Sequence, residues 1–178
     1  RSQCDAVIVG GGTLRADDPL LTSRGQRTPE PLRVVISRSL ELPDTAQLWD
    51  TSVAPTLVAH GPDAPAQGRA QLAAICAAHP GVEALELPNC TPTALLEALA
   101  QRGCNQVLWE CGPELAAAAL REHGVQQVAA VVAPKLLGGT PARTPLGELG
   151  FTSLEQLPSW QAASPIRLGS DLLWQLNR

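Results

Sequence analysis

Two glycine-containing segments, each after a short apolar run, are the clearest candidates for binding an anion. Residues 5–9 (DAVIV) lead into residues 10–13 (GGGT), and residues 106–110 (QVLWE) lead into residues 111–115 (CGPEL). Glycine lets a ligand approach the backbone, and the start of a helix offers unpaired N–H groups and a favourable dipole to a phosphate. Either segment could instead be a tight turn that binds nothing, and GGGTLR is not the G-x-G-x-x-G dinucleotide fingerprint.

Other residue types that often carry chemistry give weaker signals. The five cysteines are an odd number without a C-x-x-C pair, which disfavours both a structural metal and a disulfide framework. The three histidines lie at element ends without ligand spacing, and we assign none of them a catalytic role. Asp17 and Asp18 before a proline could simply cap a turn, and Arg24 could simply be solvated.

The composition indicates one ordinary globular domain, residues 1–178. The chain is 44% hydrophobic and 17% charged, with a net charge of -4, so it lacks the basic stripe that nucleic acid requires. It also lacks an apolar run of about 18 residues, which argues against a membrane partner, and reduced thiols favour a cytoplasmic location. Because the chain has no methionine and Arg1 stands directly before an apolar strand, we expect the domain to lack its N-terminal strand.

The elements that would position the glycine segments alternate between strand and helix. Buried parallel strands read as continuous apolar runs, and Thr91 with Pro92 is a typical helix start. Predicted strands are residues 5–9, 33–37, 56–60, 82–87, 106–110 and 126–133; predicted helices are 64–78, 92–101 and 114–123, with single helical turns within 14–24 and at 46–49. Residues 134–157 are predicted to be rich in loops, and residues 166–176 form a hairpin around Gly169.

This order predicts an α/β fold whose sheet is parallel in its middle and antiparallel at one edge. Ligands of such sheets bind where the carboxyl ends of strands meet the starts of helices. We therefore expect the two glycine segments, a hundred residues apart, to converge beside one crevice.

Several longer motifs, taken together and in this order, resemble the reductase domain of the riboflavin-biosynthesis deaminase/reductase proteins, the RibD reductase family. They are DAVIVGGGTLRADDPLLTSR (5–24), PLRVVIS (31–37), LWECGPELAAAAL (108–120) and VAPKLLGG (132–139). The resemblance implies a dihydrofolate-reductase-like three-layer fold, with a mostly parallel central sheet and an antiparallel C-terminal hairpin. One departure is Cys111, where the family commonly has glycine or alanine.

The resemblance also implies the reaction and its cofactor. The ribosyl group of 5-amino-6-(5-phosphoribosylamino)uracil would be reduced to the ribityl form with NADPH as hydride donor, in a cytoplasmic homodimer. Residues that the resemblance assigns to NADPH are Thr13, Asp17, Ser37, Arg38, Gly112, Pro113, Glu114, Leu115 and Ala116. A catalytic residue is not identified, because orientation and water exclusion can supply most of the acceleration when the cofactor carries the chemistry.

By the same resemblance, Arg1, Leu21, Arg24 and Glu110 would contact the substrate. A guanidinium can hold a phosphate by two parallel hydrogen bonds, which suits Arg24 and Arg1 for the ribose phosphate. Glu110 could accept hydrogen bonds from sugar hydroxyls or the pyrimidine, or it could merely orient the glycine turn.

Two other functions remain open at this stage. A reductase of the same fold could act on a pterin-like or other small carbonyl or imine compound. A non-catalytic NADP-binding module could keep the fold without turnover.

Overall fold

Five parallel strands form the centre of the molecule. The computed structural model describes residues 1–136, 138 and 144–178. The strands lie side by side in the order β4-β3-β2-β1-β5. Their bounds are β1 Ala6–Gly10, β2 Leu32–Ile36, β3 Thr56–His60, β4 Val82–Glu86 and β5 Val107–Trp109.

Helices cover both faces of this parallel sheet. They are α1 Gly11–Asp17, α2 Ala66–Ala78, α3 Pro92–Gln101 and α4 Pro113–Arg121. On one face Val7 and Val9 pack in a cluster with Leu14 of α1 and Leu72 of α2. On the other face Ala6 and Ile8 cluster with residues of α3 and α4, among them Leu95, Leu99 and Leu115. Because β1 is buried on both sides, its apolar residues are continuous rather than alternating.

Most predicted elements are confirmed, and α3 shows why. Thr91 caps the helix by accepting a hydrogen bond from the Ala94 N–H at 3.3 Å, and Pro92 is its first residue. The predicted turn at 46–49 is a short 3-10 helix, Gln47–Trp49. The helical turn predicted within 14–24 begins earlier than expected, because Gly10 ends β1 and Gly11 already begins α1.

The C-terminal strands form a second, antiparallel sheet. Its strands are β6 Gln127–Val132, β7 Gln161–Ala162, β8 Ile166–Leu168 and β9 Asp171–Asn177. Strand β9 pairs with each of the other three, and the predicted hairpin β8–β9 turns at Gly169, whose φ is +64°. The α/β class is confirmed, but the antiparallel strands make a sheet of their own instead of extending the parallel one.

The predicted loop region agrees with the structure where it is described. Residues 144–150 contain no helix or strand, and a short 3-10 helix, Leu154–Gln156, lies near the end of the region. Residues 137 and 139–143 of that region lie outside the described residues, and they include Leu137 and Gly139 of the motif at 132–139. None of the helices in the described part combines the length and apolar character that crossing a bilayer requires.

Arg33 is a buried cation at the amino end of β2, although its neighbours in sequence suggest a purely apolar strand. Its side chain is fully buried. Its Nη2 donates to the carbonyl oxygens of Leu48 at 2.9 Å, Asp50 at 2.8 Å and Ala54 at 2.6 Å. Burial lowers the pKa of the guanidinium. Arg33 therefore ties the segment between β2 and β3 to the sheet.

We expect Arg33→Met to lower the free energy of unfolding by about 3 kcal/mol, because three carbonyl oxygens lose their buried donor. The matched control is Arg102→Met, which removes an exposed ion pair with Glu83 and should cost less than about 1 kcal/mol. Denaturant unfolding of both variants measures the difference. Equal losses would contradict this role for Arg33.

Candidate functional site

The two glycine segments meet at the carboxyl ends of neighbouring parallel strands. Strands β1 and β5 pair directly, and the Glu110 N–H donates to the Ile8 carbonyl oxygen at 2.9 Å. A Cβ placed on Gly112 would lie 3.7 Å from Thr13 Oγ1, and one on Gly10 would lie 3.5 Å from Leu115 Cδ2. The expected meeting of the two segments is therefore confirmed.

The start of α4 offers backbone donors at this point. Gly112 precedes the helix in an extended conformation, and Pro113 is its first residue. Because proline has no N–H, the first donors of the helix are the N–H groups of Glu114 and Leu115. Within the described residues, neither N–H has a backbone or side-chain acceptor. They can donate to an anion, although the Glu114 carboxylate adds a negative charge in the same turn.

Thr13 and Asp17 occupy one face of α1. They are four residues apart in a helix, a spacing that places their side chains above one another. Thr13 is half-buried against the start of α4, whereas Asp17 is exposed at the end of α1. Both can therefore border the same elongated ligand.

Ser37 and Arg38 follow β2, next to the start of α1. Ser37 is buried, and its Oγ accepts a hydrogen bond from the Leu40 N–H at 3.0 Å. A Cβ on Gly11 would lie 2.8 Å from that Oγ, so Ser37 closes the space beside the first turn of α1. The Arg38 side chain is exposed, so it can contact a ligand that crosses the end of β2.

Arg1 and Glu110 form a bidentate ion pair next to the glycine segments. Arg1 Nε lies 2.6 Å from Glu110 Oε1, and Nη2 lies 2.5 Å from Oε2. Arg1 Nη1 also donates to the Thr22 carbonyl oxygen at 3.0 Å. The hydrogen bonds to Glu110 raise the pKa of Arg1. The two residues were predicted as separate substrate contacts, and the structure joins them to each other.

Beside this pair lies a cavity of about 320 Å³ with the side chains an anion requires. Its lining residues are Arg1, Ser2, Thr22, Ser23 and Arg24. Arg24 is exposed and, among the described residues, makes no ion pair or side-chain hydrogen bond. Its guanidinium is therefore available to a ligand. The sequence analysis did not predict that the hydroxyl groups of Ser2, Thr22 and Ser23 line this cavity. Thr22 and Ser23 stand directly before Arg24, and that position was a usable signal.

Leu21 stands apart from the other predicted substrate contacts. Its side chain is 1% exposed and packs in the core cluster with Leu14 and Leu40. A substrate contact at this position would have to come from the main chain, whose φ is +55°.

A larger cavity, of about 690 Å³, lies at the opposite ends of the strands and contains none of the predicted site residues. Its lining residues are Asp18, Asp44, Thr45, Ala46, Gln47, Trp49, Asp50, Thr51, Ser52, Ala78, His79 and Pro80. The smaller cavity, in contrast, includes Arg1, whose side chain pairs with Glu110 directly after the carboxyl end of β5, where ligands of parallel sheets bind. We therefore place the candidate site at the smaller cavity and the glycine segments.

Metal-binding groups and disulfides are not features of the described region. The five cysteines are free, and burial raises the pKa of the Cys111 thiol to about 11. Three or more His, Cys, Asp or Glu side chains in an arrangement that could hold a metal ion do not occur among the described residues.

Nearly the whole chain matches the model of a known protein family. The model of the RibD C-terminal domain matches residues 1–173. The riboflavin biosynthesis protein RibD of Synechocystis sp. is 51% identical over 156 residues, which are 88% of this chain and 41% of that protein. The chloroplastic riboflavin biosynthesis protein PYRR of Arabidopsis thaliana is 39% identical over 173 residues, 97% of this chain and 28% of that protein. The chain thus spans less than half the length of these relatives.

Solved structures agree on the fold. Acinetobacter baumannii RibD, form 2, superimposes with a TM-score of 0.78 at 29% identity, over 98% of this chain and 47% of that chain. A diaminohydroxyphosphoribosylaminopyrimidine deaminase/5-amino-6-(5-phosphoribosylamino)uracil reductase of Thermotoga maritima reaches 0.76 at 22% identity, over 99% and 46%. The dihydrofolate-reductase-like three-layer fold implied by the sequence motifs is confirmed.

Two neighbouring glycines provide a test of the local packing at the site. Gly11→Ala should lower the free energy of unfolding by about 1 kcal/mol, because the new Cβ would lie 2.8 Å from Ser37 Oγ. Gly12→Ala is the matched control, since nothing lies within 4 Å of its Cβ, and alanine should stabilise the helix by up to about 1 kcal/mol. Thermal or denaturant unfolding measures both, and a stabilised Gly11→Ala variant would contradict the packing described.

Proposed function

The chain belongs to the RibD C-terminal domain family, and from that premise we propose that it is the reductase of 5-amino-6-(5-phosphoribosylamino)uracil. It reduces the ribosyl group to the ribityl form with NADPH as hydride donor. The observation that carries the proposal is the meeting of the two glycine segments at the carboxyl ends of β1 and β5, beside a cavity lined by Arg1 and Arg24.

The residues around the glycine segments fit a dinucleotide. Gly112 has no side chain, so a ligand can approach its backbone beside Thr13, whose Oγ1 would lie 3.7 Å from a Cβ at this position. The N–H groups of Glu114 and Leu115 would donate to the pyrophosphate, helped by the dipole of α4. Ser37 and Arg38 would border the adenosine end. When bound, NADPH supplies the hydride for the reduction.

The cavity beside Arg24 suits the phosphate of the substrate. The Arg24 guanidinium would bind it through charge-assisted hydrogen bonds, and the hydroxyl groups of Ser2 and Thr22 would add two further contacts. Arg1, held by its ion pair with Glu110, forms one wall. Each Glu110 oxygen retains a lone pair beyond its bond to Arg1, so the carboxylate can still accept a hydrogen bond from a sugar hydroxyl.

The residues of the site act by binding and orientation. Anchoring the phosphate at one end and the dinucleotide at the other holds the two reactants together, which removes the entropic cost of their encounter. No side chain is assigned as a proton donor.

The proposal includes four finer points: NADPH as the cofactor, a cytoplasmic location, a homodimer and the absence of a nucleic-acid partner. The five free thiols support a reducing compartment. Support for a homodimer comes from the antiparallel sheet, whose exposed side chains include Val131, Ile166 and Trp174, because apolar patches often mark interfaces. A net charge of -4 supports the absence of a nucleic-acid partner.

The assay that tests the proposal is oxidation of NADPH by the purified full-length protein in the presence of the aminopyrimidine ribotide. Turnover supports the proposal. Turnover only with pterin-like or other carbonyl acceptors supports the same-fold alternative. Binding of NADPH without turnover on any acceptor supports the non-catalytic module.

We expect Arg24→Ala to raise KM for the ribotide by about 10- to 100-fold, because charge-assisted hydrogen bonds contribute about 1.5–3 kcal/mol. Arg38→Ala should instead raise KM for NADPH. The control, Arg69→Ala, removes an exposed arginine of α2 that lines neither cavity and should change neither constant. Steady-state kinetics with each substrate varied in turn measures all three variants. An unchanged ribotide KM in Arg24→Ala would contradict the assigned phosphate contact.

A further inference from the structure

The loop that carries Thr22, Ser23 and Arg24 is held by a carboxylate from outside the cavity. Glu30 Oε2 accepts the Ser23 N–H at 2.5 Å, and Oε1 accepts the Ser23 hydroxyl at 2.8 Å. A longer contact of 3.4 Å joins Oε1 to the Gly25 N–H. One side chain thus fixes the backbone on both sides of Arg24.

This loop has an unfavourable backbone conformation that requires such support. Leu21 has a φ of +55°, Arg24 of +56° and Gly25 of +76°. Residues with a side chain rarely adopt positive φ, at a cost of about 1–2 kcal/mol each. Contacts from the rest of the protein must compensate this cost, and those of Glu30 hold the residues on either side of Arg24.

Glu30 is itself positioned by the parallel sheet. It stands two residues before β2, and the Leu32 N–H at the start of that strand donates to the Asp5 carbonyl oxygen at 2.9 Å. At the other end of the loop, the Leu21 side chain is anchored in the core. The parallel sheet therefore fixes the position of Glu30, and Glu30 in turn fixes the backbone around Arg24.

The hydrogen bonds of Glu30 also limit the effect of its charge on the cavity. Both carboxylate oxygens are occupied by donors of the loop, and these bonds lower the pKa of Glu30. The Arg27 guanidinium supplies a nearby positive charge, and the backbone N–H of Arg27 donates to the Ser23 hydroxyl oxygen at 3.0 Å. The carboxylate is therefore engaged by its own loop instead of competing for Arg24.

We propose that Glu30 is the positioning residue of the phosphate cavity: its hydrogen bonds to Ser23 and Gly25 hold Arg24 where the guanidinium meets the phosphate. The inference rests on the proposed function, because it assigns the cavity to the phosphate end of the substrate. Glu30 itself makes no contact with the substrate.

The test measures binding of inorganic phosphate and of NADPH to the full-length protein by calorimetry, in addition to the ribotide kinetics. Glu30→Ala should weaken phosphate binding and raise KM for the ribotide by about tenfold. The affinity for NADPH and kcat should change by less than about twofold, because Glu30 is proposed to act on the phosphate cavity and not on the cofactor or on the chemical step. Glu30→Gln keeps one oxygen acceptor for the Ser23 N–H and should recover part of the loss. Glu97→Ala on α3 is the matched control for removing an exposed carboxylate.

A double mutant separates positioning from a general loss of structure. If Glu30 acts through Arg24, adding Glu30→Ala to Arg24→Ala should raise the ribotide KM no further. Additive effects, or unchanged phosphate affinity in both Glu30 variants, would overturn the inference. Failure of the unmodified protein to bind phosphate would overturn it as well. Weakened phosphate binding without turnover of the ribotide would leave Glu30 as positioning residue and reject the proposed function.

Discussion

The parallel pairing of β1 with β5 is the constraint on which the candidate site depends. Almost a hundred residues separate these strands in the chain, and the hydrogen bond from Glu110 to Ile8 continues their pairing to the carboxyl ends. Since α1 follows β1 immediately and only residues 110–112 separate β5 from α4, the same pairing brings the starts of the two helices together. The buried apolar residues of β1 hold this arrangement from both faces, because displacing the strand would expose core on two sides at once.

The positive charges at the candidate site lie close to negative ones. Arg1 is neutralised by Glu110 through two short hydrogen bonds, and Glu30 lies on the other side of the loop that carries Arg24. A protein with a net charge of -4 and such close opposite charges does not attract anions from a distance. On the proposed function, binding of the phosphate then depends on a few directed donors.

The parallel sheet and its helices hold the candidate site, whereas the described strands of the antiparallel sheet contribute no residue predicted for it. The parallel sheet and its helices contain the residues of both core clusters, and Arg33 ties the segment before β3 to this body. The antiparallel sheet contributes none of the predicted site residues among the described ones, and several of its apolar side chains are exposed. The likeness to RibD structures extends over both parts. The exposed apolar side chains of the antiparallel sheet are the basis of the proposed homodimer.

Sequence alone determined the type and order of most elements, since their signals are local: continuous apolar runs for buried parallel strands, Thr91–Pro92 at the start of α3 and Gly169 in the hairpin turn. The two-residue strand β7 carries no such signal and was not predicted. It also brought the glycine segments together, because consecutive β/α units place strand ends on one edge. Tertiary structure alone decided that Arg33 and Leu21 are buried, that Arg1 binds Glu110 and that Glu30 holds Ser23. It also decided that the antiparallel strands form a separate sheet. The physical reason is that a side chain's partner depends on packing between distant segments, and nothing in the residues beside Arg1 or Arg33 encodes which carboxylate or carbonyl oxygen will come within reach.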